Sequence, residues 1–384
     1  MTEEERNRAF LYGLFAAPGV TRVNAGQMLD ICRTAEAVFA HGASFAGLIR
    51  GEEKREAYLS YMKSADPVGA YEDIRRRGIG FTAMPLPDYP KKLREIPDPP
   101  FGLTWIGRLP DEHRSAVAVV GARQCSEYGR IMAARFGEEL AAAGVQVISG
   151  MAVGIDGISQ RGALRSGGES YGILASGVDI CYPRENRELY NTLRQRGGVL
   201  SENPPGTMPI RQLFPARNRL ISAFCDILLV IEARRRSGTF ITVDMALEQG
   251  RDVFALPGRV TDALSEGCNG LIRQGAGIAS STADILDALR GRGPGKEISG
   301  KETKEQRPEA VSRSLSRTIA LTDEETMAAA CLDVVPRSMD EIADRLRARG
   351  KPMELPVLME SLVDLCMKGA AREEGGRFLK RLTV

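Results

Sequence analysis

VAVVGARQCSEYG, residues 117–129, is an unbroken apolar run that feeds into a glycine turn carrying an arginine. Ala116 to Val120 is short, rich in β-branched residues and apolar at every position, which predicts a strand buried between two helix layers. Gly121 ends it. From Tyr128 to Ala143, Met132, Phe136 and Leu140 recur at i, i+4 spacing and predict a helix. A strand, a turn and a helix leave free N–H groups at the helix start, aimed into the crevice at the strand's end, where they favour an anion. A dinucleotide fingerprint needs a glycine at position 123 so that a pyrophosphate can reach the backbone, and this chain has Arg123 there. A long cation at that place suits a phosphate chain lying across the crevice. A surface arginine on an ordinary βα loop is the other reading this stretch leaves open.

The pattern repeats from Ser115 to about Leu289. Further strands are expected at Val145–Ser149, Ser170–Leu174, Gly198–Ser201, Ile227–Glu232 and Asp252–Ala255, most of them separated by helical stretches. The fold class that follows is α/β, an extended Rossmann-like, doubly wound and mostly parallel sheet. Ligands in such sheets lie beyond the carboxyl ends of the strands, so the loops there matter most. The first holds Gly121, Arg123 and Ser126. The second holds Gly150 and Gly154, with Asp156 placed to cap the next helix. The third runs from Ala175 to Asp179 and into Tyr182-Pro183. The fourth carries Arg211 and then Phe214-Pro215-Ala216-Arg217-Asn218-Arg219. The fifth carries Arg234, Arg235 and Arg236, followed by Gly238 and Thr239 at the start of another helix. Each loop alone is a weak signal, but together they line one rim with N–H and guanidinium groups.

A chain of 384 residues has room for two or three domains, and 43% apolar with 27% charged residues is the balance of a globular protein. The formal net charge is only +2, so attraction to a polyanion has to be local. Seven scattered cysteines without a CxxC pair predict reduced thiols in a cytoplasm rather than disulfides or a zinc site. Only His41 and His113 exist, both before the repeating pattern begins, which argues against histidine-dependent hydrolysis and histidine-bound metal. No apolar run reaches the roughly 18 residues of a membrane span, so no membrane association is expected.

Modules are expected on both flanks. Residues 1–82 read as helices interrupted by Pro18-Gly19-Val20, a pattern similar to a helix-hairpin-helix or SAM-like domain, or to a plain helical cap. Residues 83–289 form the extended Rossmann-like domain, entered through a proline-dense connector that ends in an edge strand at Leu103–Ile106. Residues 290–317 are glycine, serine and charge, which predicts a flexible linker. Residues 318–384 offer capping boxes at Thr322/Glu325 and Ser338/Glu341, an apolar face of Leu355, Leu358, Leu362 and Leu365, and Gly375-Gly376 at a hairpin position, a pattern like a winged helix. That module has ten basic and twelve acidic residues, a balance of −2, which makes a poor non-specific DNA binder and favours protein contact or modest assistance over sequence-specific reading.

In order along the chain, GAR…S.YG, SGMAVGID, GVDICYP.EN, LSE.PPG, FPARNRLIS, EA…SGTFIT and PG…G.N.LI.QGA resemble the DNA-processing protein A (DprA/Smf) family of bacterial natural transformation, from about Leu103 to Ala283. Where that family commonly has alanine and histidine after GID, this chain has Ser159 and Gln160. The resemblance implies a cytoplasmic, dimeric, non-enzymatic protein that binds single-stranded DNA without sequence preference, protects it during transformation and loads RecA recombinase onto it. It implies a DNA-facing set of Arg123, Ser126, Arg211, Arg217, Asn218 and Arg219 with Phe214 as the stacking residue, backed by Gly121, Gly150, Gly154, Gly238 and Thr239. Read on residues alone, FPARNR is equally a core phenylalanine with helix-capping arginines. DNA contact by Arg234–Arg236 stays open against a solvated face, and Tyr128 and Tyr182 read as packing. No cofactor is implied. The enzymatic rival is a phosphoribohydrolase of the lysine-decarboxylase-like type, whose motif resembles PGGxGTxxE, but Thr242 stands where its acid would be.

Overall fold

The computed structural model describes residues 1–291, 321–332, 337–368, 370–374 and 377–380. Nine strands form one sheet: β1 (Gly80–Ala83), β2 (Gly102–Gly107), β3 (Ala116–Val120), β4 (Gln146–Ser149), β5 (Ser170–Ile173), β6 (Gly197–Ser201), β7 (Ile227–Val230), β8 (Asp252–Ala255) and β9 (Gly277–Ile278). Their order is β1-β2-β6-β5-β4-β3-β7-β8-β9. The β1–β2 and β2–β6 pairs are antiparallel, and every other pair is parallel, with Val117 opposite Val147 on one side and Ile227 on the other.

β3 is central because both of its faces are apolar. Ala116, Ala118 and Val120 pack with Leu220, Ile221 and Phe224, while Val117 and Val119 pack with Met132, Phe136 and Leu140. A side chain alternates faces along a strand, so five apolar residues in a row suit only a strand covered on both sides. The expected edge strand at Leu103–Ile106 is not an edge: β2 is flanked by β6 and by β1. GFTA is too short to show alternation, which hid β1 in the sequence.

The helices around this sheet follow the chain. Five precede it or enter at its edge: α1 (Glu3–Ala16), α2 (Arg22–Cys32), α3 (Ala35–Ala40), α4 (Glu52–Ser64) and α5 (Pro67–Arg76). Their core includes Phe81 of β1, which stacks with Tyr12 and Phe15, so the boundary expected at residues 82 and 83 falls inside a strand that both regions share. The sheet's own helices are α6 (Lys91–Arg94), α7 (Glu127–Ala142), α8 (Ile155–Arg165), α9 (Arg187–Leu193), α10 (Leu213–Phe224), α11 (Thr239–Glu248), α12 (Glu266–Arg273) and α13 (Thr282–Arg290). Asp156 does not cap α8. It lies inside the first turn, and its carboxylate reaches back to accept from Gly150 N at 3.0 Å.

The chain divides into two compact units, Met1–Gly300 and Lys301–Val384. In the second, α14 (Asp323–Cys331), β10 (Arg337–Ser338), α15 (Met339–Ala348), α16 (Leu355–Met367), β11 (Ala371–Glu374) and β12 (Arg377–Lys380) enclose Ile342, Leu346, Leu358, Leu362, Leu365 and Phe378, with the strands ordered β10-β12-β11. Both expected capping boxes form. Leu355, the first residue of α16, is exposed rather than part of the apolar core. Of the expected linker, residues 292–317 lie outside the described residues, as do Gly375 and Gly376.

Candidate nucleic-acid interface

A cleft opens at the carboxyl ends of β4 and β5. Gly150, Ala152 and Val153 form one side, Leu174, Ala175 and Ser176 another, and Tyr182, Pro183, Pro209, Phe214, Arg217 and Arg123 complete it. Its enclosed part is small, about 70 Å³. Pockets that bury a whole drug-sized ligand run to roughly 300–1,000 Å³, so this one is too small to enclose such a molecule.

Glycines set the geometry. A side chain at Gly150 would meet the Arg217 guanidinium and the Asp156 carboxylate, both at 2.8 Å. Because none is there, the Arg217 side chain crosses beneath the β4 loop, and its Nη1 donates to Gly150 O at 2.9 Å and to Ile173 O. Arg217 is only 5% exposed. Burial pushes its guanidinium down to about 10, with Asp156 opposing that shift and Arg123 adding to it. Burial likewise pushes the Asp156 carboxyl up, against the field of Arg217 and the hydrogen bond from Gly150 N.

Gly154 has φ of +80°, and any side chain on it would press within 2.4 Å of the carbonyls of Ala122 and Arg123. The β4 loop therefore lies directly on the β3 loop and fixes where Arg123 emerges. Asn186 ties down the same region by donating from Nδ2 to Met151 O and Ala152 O. Arg123 itself is exposed, with no carboxylate paired to it among the described residues. Its Cζ stands 5.8 Å from the Phe214 ring, and the Cζ of Arg217 stands 5.9 Å from that ring. Half-buried Phe214 thus lies within cation–π range of two guanidiniums. Tyr182, expected only to pack, is 43% exposed and meets Phe214 edge-on at 5.6 Å.

Arg123, Gly150, Phe214 and Arg217 come together at this cleft, and the other expected residues do not line it. Ser126 is the N-cap of α7: its Oγ accepts from Gly129 N and donates to the buried Glu232, which also accepts from Ser126 N. Gly121 packs against Ile155 and the Glu232 carbonyl. Arg219 is committed to the fold, forking onto Glu202 with two 2.6 Å bonds and reaching Asp98. Asn218 accepts from Arg217 Nε at 3.3 Å. Arg211 is exposed just before α10. Gly238 and Thr239 begin α11 beside Arg234, Arg235 and Arg236, three exposed arginines around a separate open hollow that also includes Glu266.

A sequence profile described as DNA recombination-mediator protein A matches residues 81–290, more than half the chain. The chain belongs to the DprA/Smf family. It is 41% identical to the DNA processing protein DprA of Streptococcus pneumoniae over 198 residues, which are 52% of this chain and 70% of that protein. Against the protein Smf of Escherichia coli the identity is 42% over 203 residues, 53% of this chain and 54% of that one. The chain thus spans about half the length of some curated DprA/Smf relatives and more of others. Among solved structures, DprA of S. pneumoniae superposes with a TM-score of 0.62 at 33% identity, over 73% of this chain and 97% of that one. The DprA of Helicobacter pylori, whose structure concerns its single-stranded DNA binding mode, superposes with a TM-score of 0.50 at 28% identity over 55% of this chain and 96% of that one. The residues matched by the profile, 81–290, run through β2 to β9 and include the cleft. Among the described residues no helix is long and apolar enough to cross a membrane.

Proposed function

We propose that this protein binds single-stranded DNA through the cleft at β4 and β5, protects the strand, and passes it to RecA recombinase as a homodimeric, non-enzymatic mediator of transformation. The observation that carries the reading is Phe214, an aromatic face flanked by exposed Arg123 and buried Arg217 at the carboxyl ends of parallel strands. A guanidinium at the mouth grips phosphate while the aromatic face receives a base, the two contacts that define sequence-tolerant single-strand binding. The H. pylori relative's reported single-stranded DNA binding supports it, as does the family's description as a recombination mediator. The DNA-facing set of this proposal is Arg123, Phe214 and Arg217, together with Arg211, which is exposed just before α10. Ser126 and Arg219 act by holding the fold. Residues 1–82 are proposed as the helical, SAM-like module and residues 318–384 as a winged helix that contacts protein.

The test is fluorescence anisotropy with unstructured single strands and matching duplex across a salt series, with mononucleotide as competitor. Tight single-strand binding that weakens steeply with salt is expected. Efficient competition by mononucleotide would instead favour a nucleotide-processing enzyme.

A further inference from the structure

The apolar core of the N-terminal helices, with Tyr12, Phe15, Tyr71 and Ile74, continues into Leu174 and Val178 at the carboxyl end of β5. The loop that follows β5 supplies Ala175, Ser176, Tyr182 and Pro183 to the cleft, and the loop that follows β6 supplies Pro209. Two bonds tie these loops to each other, from Gly177 N to Thr207 O at 2.9 Å and from Asn203 Nδ2 to Ala175 O at 3.0 Å. Asp179 makes a third link of a different kind. It is half-buried and does not line the cleft, and one of its oxygens accepts from Gly206 N at 2.8 Å while the other accepts from Arg77, the residue that ends α5. Arg77 is steadied in turn by Asp73 one turn earlier on α5, at 3.4 Å. Of these links, Asp179 alone joins both loops to the helices. A wall left to wander has to be ordered when a ligand binds, and that ordering subtracts from affinity.

We infer that the Arg77–Asp179 pair is a clamp through which the N-terminal helices hold the β5 and β6 walls of the cleft in place, so that this module sets the affinity for a strand without touching it. Arg77 and Asp179 are positioning residues. The inference rests on the single-stranded DNA reading above and adds to it a control exerted from the helical module. It also predicts a sign that charge alone would reverse. A carboxylate near a bound polyanion repels it, so neutralising Asp179 would tighten binding if its field were all that mattered. As a clamp, Asp179 strengthens binding, and its neutralisation weakens it.

The experiment measures affinity and dissociation rate for fluorescent oligothymidylate across a salt series on the full-length protein and its variants. Asp179→Asn and Arg77→Ala should each weaken binding about two- to fivefold, the range of a partly exposed ion pair, through faster dissociation. The double variant should be no weaker than the weaker single one, because the two residues act as one unit. The slope of log affinity against log salt stays unchanged, since no phosphate contact is lost. Arg77→Lys keeps the charge and recovers the affinity. Arg6→Ala, which removes the Arg6–Glu36 pair of the same helical module, serves as the control and binds like wild type. Equal or tighter binding by Asp179→Asn would overturn the inference, as would an equal loss in Arg6→Ala or in Arg77→Lys. A lower salt slope in Arg77→Ala would overturn it too, by making Arg77 a phosphate contact. If Asp179→Asn does not fold, the Arg77 variants and the control decide the matter. Wild type that fails to bind the strand would overturn the reading on which the clamp rests, whereas normal binding by wild type and every variant overturns the clamp alone.

Discussion

Arg123 is exposed, unpaired with acid and aimed from a loop that Gly154 pins in place. Its removal should therefore cost phosphate affinity and little else. Arg123→Ala is expected to weaken binding to all single strands alike and to lower the slope of log affinity against log salt by about 0.7, with an unchanged circular dichroism spectrum. An unchanged slope would show that no phosphate meets this side chain. Phe214→Ala is expected to cost about 1–3 kcal/mol on single strands and little on duplex, since only an unstacked base can lie on the ring. Titration of both DNA forms reads that difference directly. The two residues were unequally legible in the sequence. Arg123 announced itself by standing where a dinucleotide site needs glycine. The depth of Arg217 did not, because it depends on the absent side chain of Gly150, sixty-seven residues away in the chain. The partner of Tyr182, which packs edge-on against Phe214, was not legible for a related reason: an aromatic beside proline gives no sign of which loop it will face.

Helix α7 shows how an expected ligand contact became part of the scaffold. Ser126 sits on the turn of the phosphate-binding pattern, yet its hydroxyl caps the helix and is held by Glu232 at the end of β7. Glu232 is 2% exposed, and Gly129 leaves it room: a side chain there would come within 2.3 Å of its carboxylate. The turn thus spends its hydrogen bonds locking β7 to α7. Ser126→Ala removes the cap, worth about 1 kcal/mol, and strips a bond from a buried carboxylate, worth about 1–3 kcal/mol more. A drop in the urea midpoint with nearly unchanged DNA affinity is expected. Loss of affinity without loss of stability would return Ser126 to the DNA-facing set. The strands were the most legible elements, since their apolar runs are continuous, and β3 and β8 begin and end at the expected residues. β1 and β9 escaped because strands of four and two residues carry no periodicity.

Across the molecule the opposing charges nearly cancel, so stability at low pH depends on which carboxylates have partners. In the second unit Glu325 does two things at once. It closes the capping box of α14 by accepting from Thr322 N at 2.8 Å, and it accepts two 2.6 Å bonds from Lys368 Nζ at the end of α16. The capping box was legible as a local spacing, but a pair separated by forty-three residues was not. The bond from Lys368, followed by that from Thr322, holds the Glu325 carboxyl below its ordinary value of 4.5. A carboxyl whose folded value is depressed contributes stability above the unfolded value and loses it as pH falls through the folded one. Hydrogen exchange in α14 and α16 should therefore accelerate as pH drops below about 4.5, after correction for the intrinsic rate. Glu325→Gln keeps an oxygen for the cap but cannot titrate, so this variant should start less protected at neutral pH and show a flatter acid response. If wild type and variant lost protection in parallel on acidification, the acid sensitivity of this unit would lie in other carboxylates, and the Glu325–Lys368 pair would not be what joins its first helix to its last.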